Sequence, residues 1–454
     1  MNLKKIFEPE TLCVIGVSTS NPFHPANVIF SKNKLRYKNR AYCVNPNGGD
    51  IYGDRIYRSI AEVPEKIDVA VLAVRSDMAP GALEELIAAG ASGAIIISGG
   101  FAETGNLSLQ EQLIAIAAEN SFPVVGPNCL GIYSPPRIDT FFLPSERLVE
   151  PIPGRVSLIS QSGGILVDQL IKMTQEGVGI ARAVSIGNKA VIDEIDMLRY
   201  FKSDKNTGVI GLYVEGFHPG RGREFINEVN STDKPVVVIK SGKTPGGTRA
   251  VSSHTASMAG DYFVFSEVLR ESKALEARSE AEFVSCCEAL SCYRKSGIQN
   301  ICIITASGGH GAMASDGCYS AGLTIVDIPD EDKKELREHL SRSVMNIASV
   351  DNPIDLTGSA NDNDFLNAFK VMAEKDYVDA VILLMLPYLP GITSDIGARM
   401  AQAAREHGKP VVCYLPHVDK YGMFIEGFES NGIPVAHSVE GAVNMTKVLA
   451  RKNP

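Results

Sequence analysis

The stretch RAVSSHTASMAG, Arg249 to Gly260, holds a single histidine, His254, in a bed of Ser, Thr, Ala and Gly residues. Neighbours this small leave an imidazole accessible instead of burying it. An accessible imidazole within reach of a bound phosphate can act as a nucleophile. The sequence alone leaves a second interpretation open, in which His254 is a surface histidine in a flexible loop.

The charge around His254 favours an anion. From Lys234 to Gly260 there is no Asp or Glu, although the chain as a whole carries a net charge of −9. The same stretch contains Lys234, Lys240, Lys243 and Arg249. A loop of small residues in a locally positive stretch is therefore a candidate phosphate site.

A carboxylate ends the apolar run VIGLYVEGF that precedes this stretch. Glu215 stands at the carboxyl end of that predicted strand. It could accept a hydrogen bond from one nitrogen of His254, which would fix the tautomer and leave the other nitrogen free to attack. A solvated glutamate at a strand end is the alternative.

Two turns pair hydroxyl residues with glycines directly before a helix. Backbone N–H groups at a helix start, together with the helix dipole, favour a phosphate. The residues expected to bind it are Ser160, Gln161, Ser162, Gly163 and Gly164 in LISQSGGILVDQL, and Ser307, Gly308 and Gly309 in ITASGGHGAMASDG. The second turn also contains His310.

Three further turns are expected at one edge of the first sheet, where ligands bind in open α/β sheets. The first turn lacks the G-x-G-x-x-G spacing of a dinucleotide site, so an ordinary tight turn is the alternative to a nucleotide-like ligand site. The candidate residues are Gly16, Ser18 and Thr19, then Asn45, Pro46 and Asn47, and then Pro127 and Asn128.

A Walker A phosphate loop is excluded. Gly242-Lys243-Thr244 resembles the end of that motif, but its leading glycine would fall on Val237, inside a predicted strand. The loop is too short to wrap phosphates in that manner.

The candidate residues follow short apolar runs, and these runs are the predicted strands that position them. Runs such as LCVIGVS, DVAVLAV, RVSLISQ, PVVVIKSG, ICIITASGG and AVILLML do not alternate, which is typical of parallel strands buried on both faces. Helical stretches such as APGALEELIAAG separate them. The pattern predicts an α/β fold with doubly wound sheets.

Two breaks divide the chain into three predicted domains. One is the proline-rich stretch Ser134 to Gly154, and the other is Arg294 to Asn300. The expected domains are 1–135, 151–295 and 296–454.

Composition narrows the class of protein. A net charge of −9 argues against nucleic-acid binding, and the apolar runs are too short to span a membrane. The nine cysteines form no C-x-x-C pair, so we expect reduced thiols in a cytoplasmic protein and no metal.

Taken together, the motifs SQSGG, LYVEGF, IKSGKT, SSHTASMAGD, GPNCLG, NPIDLTG and TASGGHGAMASDGC resemble the α subunit of the nucleoside-diphosphate-forming acyl-CoA synthetases, relatives of succinyl-CoA synthetase. The resemblance covers nearly the whole chain. It implies a Rossmann-like CoA-binding domain followed by two flavodoxin-like domains.

The resemblance also implies site roles. CoA would occupy the turns at Gly16, Asn45 and Pro127, and His254 would carry a phosphoryl group contacted by Glu215. The helices after the two Ser-Gly-Gly turns would direct their N-termini at that phosphate. ADP or ATP with Mg²⁺ would bind an ATP-grasp β subunit, in an α2β2 heterotetramer.

The implied reaction interconverts acyl-CoA, phosphate and ADP with a carboxylic acid, CoA and ATP. One departure from the family is His310, which stands where proline is common. The alternatives are a non-catalytic regulatory protein that binds CoA or acyl-CoA, and a CoA-ester lyase or acyltransferase of the same superfamily. The acyl group is not indicated.

Overall fold

The structure is a computed structural model that describes residues 3–255, 261–293 and 297–450, with the side chains of 252–255 outside the description. Two compact units account for the chain. The first comprises Met1–Thr174 with Gly179–Arg278, and the second comprises Gln175–Val178 with Ser279–Pro454.

The first unit contains two seven-stranded sheets. In the first sheet the spatial order is β3-β4-β2-β1-β5-β6-β7, and every pair is parallel except β3 with β4. Its strands are β1 Thr11–Ile15, β2 Arg40–Val44, β3 Gly49–Ile51, β4 Asp54–Tyr57, β5 Val69–Leu72, β6 Ala94–Ile96 and β7 Val124–Val125.

The second sheet follows the order β14-β13-β12-β10-β11-β8-β9. Its strands are β8 Gly131–Ser134, β9 Ile138–Asp139, β10 Pro153–Ser160, β11 Ile180–Ser185, β12 Val209–Val214, β13 Val236–Lys240 and β14 Leu275–Ala277. The hairpin β8–β9 pairs antiparallel to β11, so part of the proline-rich stretch forms a sheet edge, where the absence of a proline N–H is tolerated.

Helices connect the parallel strands of the first unit, as βαβ crossovers require. They are α1 Lys4–Phe7, α2 Pro25–Arg36, α3 Ala79–Ala88, α4 Leu107–Glu119, α5 Gly163–Gln175, α6 Glu194–Ser203, α7 Gly222–Asn230, α8 Pro245–Thr255 and α9 Tyr262–Arg270. Short 3₁₀ helices occur at Ile60–Glu62, Ser76–Met78, Ala102–Thr104 and Ser145–Arg147.

The second unit contains one six-stranded, all-parallel sheet of order β16-β15-β18-β19-β20, with β17 also paired to β15. The strands are β15 Asn300–Thr305, β16 Thr324–Ile325, β17 Ile354–Asp355, β18 Ala380–Leu384, β19 Val411–Tyr414 and β20 Val435–Ala436. The helices are α10 Glu280–Cys292, α11 Gly308–Ser320, α12 Asp330–His339, α13 Asp362–Ala373, α14 Ile396–His407, α15 Gly422–Glu429 and α16 Val439–Ala450, and a 3₁₀ helix spans Asp419–Tyr421.

The central strands are buried on both faces. Every residue of β1, β5 and β18 is buried, which explains why their sequences lack alternation. The α/β class with mainly parallel sheets is thus confirmed. In the first unit one apolar core includes Val14 and Val71 of the first sheet and Ile159 and Leu212 of the second.

The free thiols and the lengths of the helices match two further expectations from the sequence. All nine cysteines are free thiols, and all except the half-buried Cys292 are buried. Across the described ranges, no helix combines the length and the apolar character needed to cross a bilayer.

Candidate functional site

The first two turns of the first sheet are tied together. The side-chain amide of Asn45 donates to the Val17 carbonyl at 2.7 Å, and Asn27 of α2 bonds both the N–H and the carbonyl of Ser18. Gly16 has φ +99°, and a Cβ there would lie 2.4 Å from the Ala73 carbonyl oxygen. A residue with a Cβ would clash here, so glycine is required where the backbone of the first turn passes close to the end of β5.

Thr19 completes the first turn, and Pro46 and Asn47 follow Asn45 in the second. Thr19 is exposed, and the Asn47 N–H donates to Asn45 Oδ1 at 2.9 Å. The first two of the three predicted turns therefore meet at the carboxyl ends of β1 and β2.

Pro127 and Asn128 lie at the same edge of this sheet but beyond β5 and β6. Asn128 has φ +55°, and its N–H donates to the Ser98 carbonyl at 2.9 Å. The Pro127 carbonyl accepts from the N–H of Asn188, in the loop after β11 of the second sheet. The third turn thus connects the two sheets of the first unit.

The turn from β10 into α5 is closed by a serine. Ser160 Oγ donates to the Ser162 carbonyl at 2.7 Å and accepts from the Ser162 N–H at 3.2 Å. Helix α5 begins at Gly163, so the N–H groups of its first turn have no carbonyl partners within the helix. A Cβ at Gly164 would meet nothing within 4 Å. This end of α5 can accept an anion.

Both polar atoms of the Gln161 side chain form hydrogen bonds within the protein. Its Oε1 accepts from the N–H groups of Glu215 at 2.6 Å and Gly216 at 3.1 Å. Its Nε2 donates to the Gly216 carbonyl and to Glu194. Gln161 therefore fixes the end of β12 and has no amide group left for a ligand.

Glu215 is 4% exposed and follows β12. Its Oε1 accepts from the hydroxyl of Tyr213 at 3.3 Å, whereas its buried Oε2 has no hydrogen-bond partner in the part of the chain that the structure describes. A buried carboxylate oxygen with no donor is costly. Glu215 thus holds acceptor capacity available for a donor.

Two buried ammonium groups bond the backbone carbonyls of Glu215 and Gly216. Lys240, at the end of β13, donates to the Glu215 backbone carbonyl at 2.7 Å. Burial lowers the pKa of Lys240 to about 8, and Glu215 opposes this shift. Lys189 contacts both carboxylate oxygens of Glu194 at 3.1 Å and also bonds the Gly216 carbonyl. Burial raises the pKa of Glu194, opposed by the Lys189 ammonium.

The backbone of His254 lies in helix α8. Its side chain is outside the described residues, as are residues 256–260. The interpretation of Arg249–Thr255 as a loop was wrong, because Pro245 begins a helix and the Thr244 hydroxyl accepts from the Gly247 N–H at 3.1 Å. The backbone of α8 lies beside the 3₁₀ helix Ala102–Thr104, which follows β6.

The second unit repeats the turn of β10 and α5. After β15, Thr305 Oγ1 donates to the Ser307 carbonyl at 3.2 Å and accepts from the Ser307 N–H at 3.1 Å. Helix α11 begins at Gly308. A Cβ there would lie 3.2 Å from Asp355, and Gly309 is open on the side that a Cβ would occupy, with only the Ser307 hydroxyl 4.0 Å away.

His310 lies in the first turn of α11. Its Nδ1 is 3.0 Å from Ser307 Oγ, and its ring lies 5.5 Å from that of Tyr414. These two contacts hold the His310 side chain at the start of α11.

The sequence analysis did not select Lys189, Glu194 or Tyr213 as site residues. Lys189 and Glu194 lie in the loop and helix start after β11, and neither matches a motif. Lys240 was counted only as local positive charge. A lysine that ends the apolar run VVVIK was the one available sign of a buried ammonium.

Comparison with known families matches all three segments of the chain. A CoA binding domain matches residues 10–135, a succinyl-CoA ligase like flavodoxin domain matches 153–290, and a ligase-CoA domain matches 301–438.

Similar proteins cover the chain from end to end. The acetate–CoA ligase [ADP-forming] I of Archaeoglobus fulgidus is 33% identical over 99% of this chain, which spans 63% of that relative. The α subunit of acetate–CoA ligase [ADP-forming] I from Pyrococcus furiosus is 31% identical over 99% of this chain and 97% of the relative.

A solved structure is similar over the same length of chain. The dinucleotide forming acetyl-coenzyme A synthetase 1 of Ca. Korarchaeum cryptofilum, in complex with phosphate and ADP, superposes with a TM-score of 0.89 at 30% identity, covering 99% of this chain and 96% of that one. With this similarity along its whole length, the chain belongs to the family of the ADP-forming acetate–CoA ligases and corresponds to their α subunit.

Proposed function

We propose that the chain is the α subunit of an ADP-forming acyl-CoA ligase and that His254 carries its phosphoryl group. The observation that carries this proposal is the buried Glu215, whose Oε2 has no donor among the described residues. β12, which precedes Glu215, pairs with β13, and the chain runs from β13 into the helix that contains His254. An imidazole N–H is the donor that this carboxylate lacks.

Three chemical steps make up the proposed reaction. A phosphate oxygen attacks the thioester carbon of an acyl-CoA, the carbon–sulfur bond breaks, and CoA leaves as a thiol after taking a proton. A ring nitrogen of His254 then attacks the phosphorus of the acyl phosphate, and the carboxylate leaves. Finally the phosphoryl group passes to ADP. Glu215 holds the ring in one tautomer and stabilises its positive charge.

CoA is proposed to bind at the first-sheet edge. The close crossing at Gly16, the joined turns at Ser18, Thr19 and Asn45, and the adjacent helix α8 support this placement. Pro46, Asn47, Pro127 and Asn128 extend the same edge. We expect calorimetry with CoA on the full chain to show binding. The absence of both heat and a melting shift would contradict it.

Phosphate is proposed to bind at the starts of α5 and α11. Ser160, Ser162, Gly163 and Gly164 form the first of these turns, and Ser307, Gly308 and Gly309 form the second. Each helix start, through its N–H groups and the helix dipole, would stabilise an anion there by roughly 0.3–2 kcal/mol. Gln161 acts in the first turn by positioning Glu215.

A separate β subunit is proposed to bind ADP or ATP with Mg²⁺ through an ATP-grasp fold, in an α2β2 assembly. The Pyrococcus furiosus relative, of which this chain covers 97%, is named an α subunit, and this supports a separate partner chain. We also propose the domain division 1–135, 151–295 and 296–454, and a cytoplasmic location, which nine free thiols support.

The test is phosphohistidine labelling. The chain is incubated with radiolabelled phosphate, an acyl-CoA and the β subunit, and acid-labile, base-stable label on the chain is counted. We expect His254→Ala to abolish the label and to leave CoA affinity and melting temperature within experimental error. The control His339→Ala, which removes an exposed histidine of α12, should keep the label. Equal labelling of His254→Ala would place the nucleophile elsewhere, and His310→Ala would be tested next.

A further inference from the structure

Three metal-ligating side chains converge in the second unit, apart from the turns described above. They are Glu176, His417 and His437, and one donor atom from each lies within 4.8 Å of the other two. His417 follows β19 and His437 follows β20, two neighbouring parallel strands. Glu176 belongs to the segment Gln175–Val178, which forms part of this unit.

A hydrogen bond fixes which nitrogen of His437 is available. Its Nδ1 lies 3.0 Å from the backbone carbonyl oxygen of Leu415. A carbonyl only accepts, so Nδ1 must carry the proton and donate. In the neutral ring Nε2 then holds a lone pair, as in metal-bound histidines whose other nitrogen bonds a carbonyl.

Nε2 of His437 needs a positive partner. This atom is buried and makes no hydrogen bond within the described structure. It lies 2.8 Å from a carboxylate oxygen of Glu176. Two facing lone pairs at that distance repel each other unless a proton or a metal ion lies between them.

The second histidine supplies the third donor. The rings of His417 and His437 lie 4.4 Å apart, centroid to centroid, at 85° to each other. His417 is exposed, so its side chain can rotate towards an ion without disturbing the core. A tetrahedral Zn²⁺ with bonds of about 2.05 Å needs donors roughly 3.3 Å apart, which small side-chain rotations can reach.

Two further carboxyl groups lie near this segment. A Cβ at Gly177 would lie 2.5 Å from Glu429 Oε2, so the Glu429 side chain packs against the residue that follows Glu176. Among the described residues, Glu429 Oε1 and Glu288 Oε2 have no hydrogen-bond partner although both are buried. Burial raises the pKa of both carboxyls, that of Glu429 to about 8, which favours their neutral forms.

We propose that Glu176, His417 and His437 form a binding site for a divalent transition metal ion, with Zn²⁺ the best match. Two imidazoles and one carboxylate suit Zn²⁺, Co²⁺ or Fe²⁺ better than Mg²⁺ or Ca²⁺, which prefer all-oxygen ligand sets. Three protein ligands leave a position open for water. The ion would hold the segment Gln175–Val178 against the ends of β19 and β20. The site does not depend on the proposed ligase reaction.

The competing interpretation is a protonated His437 paired with Glu176, which binds no metal. To separate the two, the full chain is stripped with a chelator and titrated with Zn²⁺ by calorimetry and with Co²⁺ by visible absorption. We expect one high-affinity site per chain with Co²⁺ d–d bands and without thiolate charge-transfer bands. His417→Ala and Glu176→Gln should each weaken binding at least about tenfold. His339→Ala, which removes an exposed histidine elsewhere, should bind as the wild type does.

Several outcomes would overturn the proposal. One is wild-type binding no tighter than that of His417→Ala, and another is a cobalt spectrum that shows cysteine ligands. His417 is exposed, so its removal should not change the fold, and an unchanged melting temperature of the stripped variant checks this. A melting temperature raised by Zn²⁺ in the wild type but not in His417→Ala would support the site by a readout separate from activity.

Discussion

The side chain of Gln161 holds the backbone of Glu215 in place. The Glu215 N–H donates to Gln161 Oε1 across 2.6 Å, which joins the turn after β10 to the end of β12. The same amide donates to the Gly216 carbonyl at 2.8 Å. A neutral amide is required here, because this position must accept from two N–H groups and donate to a carbonyl at once.

We expect Gln161→Glu to impair phosphohistidine formation without weakening CoA binding. The new carboxylate would face the Gly216 carbonyl and the buried Glu194, an uncompensated charge that costs about 3–5 kcal/mol. The phosphorylation rate should fall at least about tenfold. Gln112→Glu, on the exposed face of α4, should change neither quantity. Equal loss of CoA affinity and rate would indicate general unfolding instead of misplacement of Glu215.

Replacing Glu215 with Gln should slow phosphoryl transfer by about 10²–10⁴-fold, the usual effect of losing a positioned acid–base group. The amide keeps the shape of the side chain but removes the charge that would stabilise an imidazolium. Single-turnover labelling with acyl-CoA, phosphate and the β subunit measures the rate. Glu119→Gln removes an exposed carboxylate at the end of α4 and should keep the wild-type rate. A wild-type rate in Glu215→Gln would remove this residue from the mechanism.

Gly16→Ala should lower both the melting temperature and the affinity for CoA. The added methyl would lie 2.4 Å from the Ala73 carbonyl oxygen, so β1 and β5 must separate at the proposed CoA edge. Gly53→Ala is the matched control, since Gly53 also has a positive φ, +83°, but faces open space. That control should cost only about 1–2 kcal/mol of backbone strain and leave CoA affinity unchanged. Equal CoA affinities in the two variants would place CoA elsewhere.

The stability contribution of Lys240 should depend on pH. Burial lowers the pKa of Lys240 to about 8 in the folded chain, against an ordinary value of 10.5. Between these values the unfolded chain binds more protons, so the free energy of unfolding rises with pH. Below pH 8 Lys240 is protonated in both the folded and the unfolded chain, and the cost of burying its charge is fully present. Above pH 10.5 Lys240 is neutral in both, and this cost is absent.

The comparison with Lys240→Met isolates this effect. From pH 7 to pH 10 the melting temperature of the wild type should rise relative to that of the variant, equivalent to a gain on the order of 1–3 kcal/mol. Lys205→Met, which removes an exposed lysine, provides the control. A constant difference between wild type and Lys240→Met across this range would show that Lys240 keeps its ordinary pKa.

The sequence by itself determined the fold class and the placement of the turns. Unbroken apolar runs such as VVVIK and AVILL are buried on both faces, so their pattern identifies central parallel strands. The Ser-Gly-Gly turns after β10 and β15 follow from local chemistry, because a hydroxyl and two glycines suffice to end a strand and begin a helix. The motifs also sufficed to identify the family.

The tertiary structure alone decided which polar groups are buried together. Nothing in the sequence pairs Gln161 with Glu215, since the two meet only when β10 and β12 align side by side. Lys189 and Glu194 are close in sequence, but only the tertiary structure shows that both are buried. It also showed that Pro245–Thr255, which contains His254, is a helix, where small residues suggest a loop. The donors Glu176, His417 and His437 are separated by up to 261 positions in the sequence, and only the folding of the second unit brings them within 4.8 Å.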